Sequence, residues 1–235
     1  MLAPAYNEEQ HIRQFIEETG AVMDGLGLDY EIIIIDDGST DKTTEIVQQM
    51  SMNPHLELVS YTRNMGKGYA IKRGFTHATG DLVLLLDTDM DISPRQIVSY
   101  IRAIELGDIV LASKWHPGSR TEMPLTRRIL SHAFNAMVTL LTGLRVSDTQ
   151  SGMKAFRRSV LESVLPKLAI KRFAFDVELL TVANLRGFSI VEYPIKIKMG
   201  GHTMPGPLIR MIWTMFMEIL GITYRLRVLR YYNGR

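Results

Sequence analysis

The sequence predicts an α/β fold with a mostly parallel sheet flanked by helices, and three observations predict it. The runs "EIIII" (residues 31–35) and "LVLLL" (82–86) are short and apolar, and each breaks into an acidic turn, "DDGSTD" and "DTDMD". Stretches with helical spacing separate them, the pattern of buried parallel strands joined by crossover helices. The 235 residues, 46% hydrophobic and 22% charged, are ordinary globular usage and enough for one substantial core.

In chain order, only Met1 to Ala3 precede Pro4, so the first strand is either very short or begins upstream. Helices are expected over residues 7–26, 41–51, 67–78 and 94–106, with weaker strands over 56–60 and 108–112. Ser93-Pro94, with Gln96 three residues after the serine, has the form of an N-cap with a capping box. Residues 124–142 put Arg128, Ser131 or His132, Asn135, Thr139 and Thr142 on one helical stripe, with Arg127 and Ser131 one turn apart beside it. From about 207 to 229 the polar stripe narrows to Arg210, Thr214, Glu218, Gly221 and Arg225. The remaining apolar face is wide enough to bury against its own domain and still meet a membrane or a second copy of the chain, and an ordinary buried helix is an equal alternative. Arg210 and Glu218 interrupt it, so a membrane span is not expected. There is no internal repeat and no low-complexity linker.

Charge is unevenly placed. Residues 1–113 hold 18 acidic and 8 basic residues, and residues 114–235 hold 7 and 19. An acidic half suited to cations thus precedes a basic half suited to phosphates or an anionic surface. Nucleic acid is not expected as a partner, because the basic residues are spread among apolar helices. There is no cysteine, which excludes disulfides and thiolate metal sites and fits a reducing compartment. "MLAPAYNEE" has neither a basic leader nor an apolar signal core, so an intracellular protein is expected.

"LLLDTDMDIS" (84–93) places Asp87, Asp89 and Asp91 at alternate positions. If the backbone stays extended, the three carboxylates face one way, and at ~4 Å and an effective dielectric near 20 each close pair repels by roughly 4 kcal/mol. A solvated turn accounts for Ser93 and Asp91 but gives no reason for Asp87 and Asp89. Asp36 and Asp37 follow the other strong strand, and in doubly wound sheets ligands bind beyond the carboxyl ends of strands, which favours a shared cation site over two chance turns. In "RNMGKGYAIKRGF" (63–75), Gly66-Lys67-Gly68 opens a helix, an arrangement that favours an anion. It is neither a Walker A loop nor a G-x-G-x-x-G fingerprint, so P-loop NTPases and nicotinamide dehydrogenases lose their main support.

Taken together, "PAYNEE" (4–9), "DDGSTD" (36–41), "GKG" (66–68), "DTDMD" (87–91), "DTQSGMKAF" (148–156), "FAFDVELL" (173–180) and the closing "RLRVLRYYNG" resemble the inverting family 2 glycosyltransferases that move a sugar from a nucleotide donor to a polyprenyl or dolichyl phosphate. The last three lean toward dolichyl-phosphate glucosyltransferases rather than mannose-phosphodolichol synthases, which implies a UDP-sugar before GDP-mannose. The resemblance implies a GT-A (Rossmann-like) catalytic domain over 1–200, with a nucleotide and metal half (1–113) and an acceptor half (114–200), followed by a C-terminal amphipathic, membrane-associating helix over 201–235. It places Pro4, Ala5, Tyr6, Glu8, Asp36 and Asp37 around the nucleoside, a carboxylate accepting from the base N–H, with Lys67 nearby. Asp87 and Asp89 match the two acids of D-x-D, and Asp89 with Asp91 would hold Mg²⁺ or Mn²⁺ against the diphosphate.

On the acceptor side the resemblance implies that Arg127, Ser131, Lys114 and Lys198 hold the attacking phosphate. Asp176 and Glu178 bind sugar hydroxyls, cap a helix or, less in keeping with the acceptor, act as a base, and Asp148 either takes part or orders a turn. Relatives commonly have Gly-Ser-Arg where this chain has Ala112-Ser113-Lys114, and Arg-x-x-Gly-x-Ser-Lys where it reads Lys198-Met199-Gly200-Gly201-His202-Thr203-Met204. Lysine keeps the charge but loses bidentate phosphate binding. The expected reaction is a single displacement at the sugar C1 by a phosphate monoester, with the protein peripheral at the cytoplasmic face of a membrane. A family 2 transferase with a soluble saccharide or protein acceptor, and a non-catalytic nucleotide-sugar binding module, are the alternatives.

Overall fold

The computed structural model describes residues 1–121, 124–197 and 208–233; of residues 126, 127, 208–212 and 233 only the backbone is described. The elements run β1 (Leu2–Ala5), α1 (Ile12–Asp24), β2 (Ile32–Asp36), α2 (Thr43–Gln49), β3 (Leu56–Ser60), α3 (Lys67–Phe75), β4 (Leu82–Leu86), α4 (Ile97–Ala103), β5 (Ile109–Ser113), β6 (Arg120–Thr121), α5 (Leu125–Thr142), β7 (Met153–Arg157), α6 (Arg158–Val164), α7 (Phe175–Leu185), β8 (Ile190–Pro194), β9 (Lys196–Ile197) and α8 (Leu208–Arg227).

The central sheet has the order β3-β2-β1-β4-β7-β5-β8. All of its neighbours pair parallel except β7, which runs antiparallel to both β4 and β5. β6 and β9 form a separate two-stranded parallel ribbon. The isoleucines of β2 explain why its apolar run is unbroken. Ile33 and Ile35 enter the core on one face, with α6, α7 and part of α8, and Ile32 and Ile34 enter the core on the other, with α1 and α4. A strand covered on both faces needs apolar residues at every position.

Several element boundaries differ from expectation for local reasons. The strand before Pro4 exists and pairs parallel with β2 from Leu2 to Ala5. The helix expected from residue 7 begins at Ile12, because Asn7 has a positive φ of 57° and residues 7–11 form a turn. The helix expected over 94–106 is a 3₁₀ turn at Pro94–Gln96, then α4, then a second 3₁₀ turn at Ile104–Leu106. Ser93 does cap it, accepting from Arg95 N–H at 3.4 Å. Gln96 does not complete a capping box; its amide donates to Lys196 O and accepts from Lys196 N–H, both at 2.8 Å.

Candidate active site

The sheet order reverses direction between β1 and β4, and the crevice beyond the strands' carboxyl ends at such a point is where open α/β sheets bind ligands. Pro4 has no N–H to give to the β4 side of the ladder, and its carbonyl accepts instead from Thr88 Oγ1 at 3.2 Å, tying the β1 end to the acidic loop. Tyr6, beyond β1, is 46% exposed and lines this edge. Glu8 pairs with His11 at 3.2 Å.

Asp36 and Asp37 are buried at the end of β2 and committed to their own loops. Asp36 accepts from Ser39 N–H at 3.0 Å and from the Thr44 hydroxyl. Asp37 accepts from the Tyr61 hydroxyl (2.8 Å), Met65 N–H (2.7 Å) and Gly66 N–H (2.8 Å). At 2% and 4% exposure, the pair fixes the segments on either side of the crevice. Gly66 is obligatory there, with φ of 97° and Lys171 O only 2.5 Å from where a Cβ would lie.

A chain of alternating charges follows. Lys67, the first residue of α3, pairs with Asp87 at 2.6 Å and lies 4.0 Å from Asp176. Asp176, in the first turn of α7, pairs in turn with Lys154 of β7 at 2.9 Å. Burial alone would push the Asp176 carboxyl up and the Lys67 ammonium down. The neighbouring opposite charges outweigh it, so Asp176 is held below and Lys67 above its ordinary range. Asp89 shows the opposite balance. Burial, then the charges of Asp87, Asp91 and Glu8, push it up to about 6 despite a hydrogen bond from Asp91 N–H.

The three aspartates are not on one strand face. β4 ends at Leu86, and Met90, with φ of 61°, turns the chain so that Asp91 N–H donates to Asp89 Oδ1 at 3.1 Å. Their mutual repulsion is nevertheless real, and a divalent cation would relieve it. Among the described residues no three carboxylate or imidazole side chains form a closed metal cage. Asp89 and Asp91 offer the hard carboxylate oxygens that Mg²⁺ and Mn²⁺ favour.

Beside this lies a second cluster. Lys114, just past β5, is 3.4 Å from buried Asp148, which also accepts from Lys114 N–H and Gln150 N–H. The turn reading of Asp148 thus describes its contacts. The Trp115 ring packs on His132 of α5 at 3.9 Å between centroids, with the Arg128 guanidinium 5.7 Å from its centre. Asn135 donates to Ser147 O, so α5 is fastened to both loops. Ser131 is half-buried on the same helix. Arg127 lies in α5 with only its backbone described, and Lys198 and the loop through Met204 lie outside the described residues.

Glu178 departs from expectation. It is fully buried and accepts from Ala169 N–H (2.9 Å), Ile170 N–H (2.7 Å), Arg225 (3.2 Å) and the Tyr232 hydroxyl, so it holds a loop and the C-terminal helix rather than a sugar. The sequence reading also missed Lys154. It is 1% exposed in a strand otherwise apolar inside, and a lysine flanked by Met153 and Ala155 in the register of a core strand was the available signal.

The sheet, the crevice at its reversal point and the acid–lysine cluster define an α/β domain of the GT-A type. Residues 2–165 match the family described as Glycosyl transferase family 2. A dolichyl-phosphate beta-glucosyltransferase (ALG5C) of Trichomonas vaginalis is 31% identical over 83% of this chain and 62% of that protein. An undecaprenyl-phosphate 4-deoxy-4-formamido-L-arabinose transferase of Photorhabdus laumondii is 34% identical over 70% of this chain and 50% of that protein. Among solved structures, glucosyl-3-phosphoglycerate synthase of Mycobacterium tuberculosis in complex with UDP superposes with a TM-score of 0.70 at 21% identity, covering 95% of this chain and 77% of the other. The chain belongs to glycosyl transferase family 2, and it spans about half to three-fifths of the length of the two relatives described.

Proposed function

We propose that this chain transfers a hexose from a nucleotide sugar, a UDP-sugar before GDP-mannose, to a polyprenyl or dolichyl phosphate with inversion at C1. The observation that carries the reading is Lys67 held between Asp87 and Asp176 beside Asp89, at the crevice between β1 and β4. Similarity to a dolichyl-phosphate and an undecaprenyl-phosphate transferase supports the acceptor class. A structural neighbour bound to Mn²⁺, UDP and its product supports the donor and metal.

Pro4, Ala5, Tyr6 and Glu8 form the nucleoside wall, backed by the loops that Asp36 and Asp37 fix. Lys67 places a fixed positive charge on the departing diphosphate, and its two carboxylate partners hold that charge in place before the donor arrives. Asp89, with Asp91, would hold Mg²⁺ or Mn²⁺, which would neutralise charge developing on the leaving group. Asp176, committed to two lysines, serves as an electrostatic anchor and not as a base. No strong base is required, since a phosphate monoester with a second pKa near ~6 is already largely dianionic at neutral pH. Lys114, Arg127, Ser131 and Lys198 are the residues assigned to that phosphate, and orientation of the two charged reactants supplies much of the acceleration.

No helix among the described residues is long and apolar enough to cross a membrane. α5 and α8 expose Leu125, Ile129, Trp213, Met217 and Tyr224, with Arg227 and Arg230 nearby in sequence at the end of α8. We take this as a surface that rests on an anionic bilayer, where a lipid phosphate acceptor would be met. A catalytic domain over 1–200 and a peripheral C-terminal segment over 201–235, which includes α8, belong to the same reading. The neighbour crystallised with phosphoglyceric acid raises a soluble phosphorylated acceptor as the second reading. Incubating the protein with Mg²⁺ or Mn²⁺, a panel of nucleotide sugars, and either a polyprenyl phosphate or phosphoglyceric acid separates them. A lipid-linked product of inverted anomeric configuration is expected, and product with the soluble acceptor alone would overturn the lipid reading.

A further inference from the structure

The segment 168–174 joins the second half of the chain to the diphosphate-binding turn, and what holds it comes from elsewhere. Its middle carries the turn: Lys171 O accepts from Gly68 N–H at 2.9 Å and lies against Gly66. Its first part is pinned by Glu178, whose Oε2 accepts from Ala169 and Ile170 N–H. Its last part is pinned by Glu218 of α8, which accepts from Ala174 N–H at 2.8 Å at the start of the helix bearing Asp176. Glu178 is in turn gripped by Arg225 of α8 and by the Tyr232 hydroxyl, which itself accepts from Arg225 Nε at 2.9 Å.

Between the segment and Arg63, Asn64 and Met65 the packing leaves an opening. A cavity of about 420 Å³ lies there, lined also by Ile170, Lys171, Arg172 and Glu218. Beside that cavity the segment packs on the core through Leu168, Ile170 and Ala174, and hydrogen bonds to the two glutamates, with Lys72 Nζ donating to Leu168 O, set its position. A shift of the segment would carry the Gly66–Gly68 turn and the first turn of α7 with it, moving both Lys67 and its partner Asp176.

We propose that Glu178 and Glu218 are positioning residues for donor binding, acting through segment 168–174 on Lys67, with Arg225 and Tyr232 of the C-terminal region setting Glu178 in turn. The proposal rests on the reading of Lys67 as the diphosphate ligand. It assigns the C-terminal helix a part in the donor site, about one helix and one loop away from its exposed apolar face.

The test uses the full chain and four variants: Glu218→Gln, Glu218→Leu, Tyr232→Phe with Arg225→Met, and Lys67→Ala. UDP affinity with Mn²⁺ is measured by calorimetry, donor KM and kcat by turnover, and Tm by scanning calorimetry. Glu218→Gln keeps an acceptor for Ala174 N–H and should bind UDP like the parent. Glu218→Leu and the Tyr232/Arg225 pair should weaken UDP binding and raise donor KM by about tenfold, the usual size of an indirect effect on a binding residue, with kcat changing less. Lower Tm with parental UDP affinity and donor KM would reduce both glutamates to structural supports and overturn the proposal. Parental UDP affinity in Lys67→Ala would remove the diphosphate reading itself, and the proposal with it; loss in Lys67→Ala but not in the α8 variants would remove the coupling alone.

Discussion

Gly152→Ala is a one-carbon change aimed at the acid–lysine chain. A Cβ at residue 152 would lie 2.5 Å from Asp87 Oδ2, 3.0 Å from its Cγ and 3.2 Å from its Cβ. The clashing atoms belong to a side chain, so the carboxylate yields, and the backbone bond from Asp87 N–H to Gly152 O at 3.1 Å need not break. Restoring ordinary contact requires the carboxylate to retreat by about 1 Å, enough to break its 2.6 Å bond to Lys67. A displacement of ~1 Å in a positioned charge costs on the order of 10²-fold in rate, whereas relief by rotation of one partly exposed side chain keeps the stability cost to roughly 1 kcal/mol. Turnover with UDP-glucose, Mn²⁺ and a polyprenyl phosphate should therefore fall about 10²-fold while Tm moves by only a few degrees, on the order of ~2–4 °C. Full turnover with a lowered Tm would show that the Asp87–Lys67 contact is not used, and would refute the reasoning.

Three further outcomes are expected. Asp89→Asn should abolish transfer and leave Tm at pH 7 unchanged or higher, since burial and three neighbouring carboxylates already disfavour its charge; retained metal-dependent turnover would remove Asp89 from the site. Lys154→Met leaves buried Asp176 with its more distant lysine and should cost roughly 3–5 kcal/mol, whereas Lys154→Met with Asp176→Leu should recover most of that in urea titrations. Asp176 is held below its ordinary range in the fold, so its contribution is present above about pH 4 and is lost as pH falls through the depressed value; the doubly substituted protein should lack that part of the acid-side loss. Trp213→Glu with Met217→Glu should reduce co-sedimentation with anionic vesicles and leave UDP binding unchanged, because both side chains are exposed on α8.

The strongly patterned pieces were legible in sequence. β2, β4, α5 and α8 fall within about two residues of expectation, because their apolar runs are long relative to their turns. β7 was not foreseen as a strand, and its direction could not be: "MKAFR" is short and carries a lysine whose partner, Asp176, lies twenty-two positions away. Which residues reach the crevice edge was readable from strand-end position alone. What each carboxylate does there was not, because Asp37 and Glu178 are set by backbone N–H groups of neighbouring loops in the fold, and such donors leave no mark in the amino-acid string. Gln96 looked like a helix cap for the same reason, its actual partner being a hundred residues downstream.

The reversed strand also limits how the molecule can be divided. β7, a strand of the basic stretch, sits between β4 and β5, both of the acidic stretch, so the sheet of the first half is completed only by a segment that follows both in the chain. A fragment ending before residue 114 would present Leu82–Leu86 as a bare apolar edge, free to pair with another copy. Donor and acceptor portions are thus interlaced, like the fingers of two hands, and neither should accumulate as a soluble piece when expressed without the other.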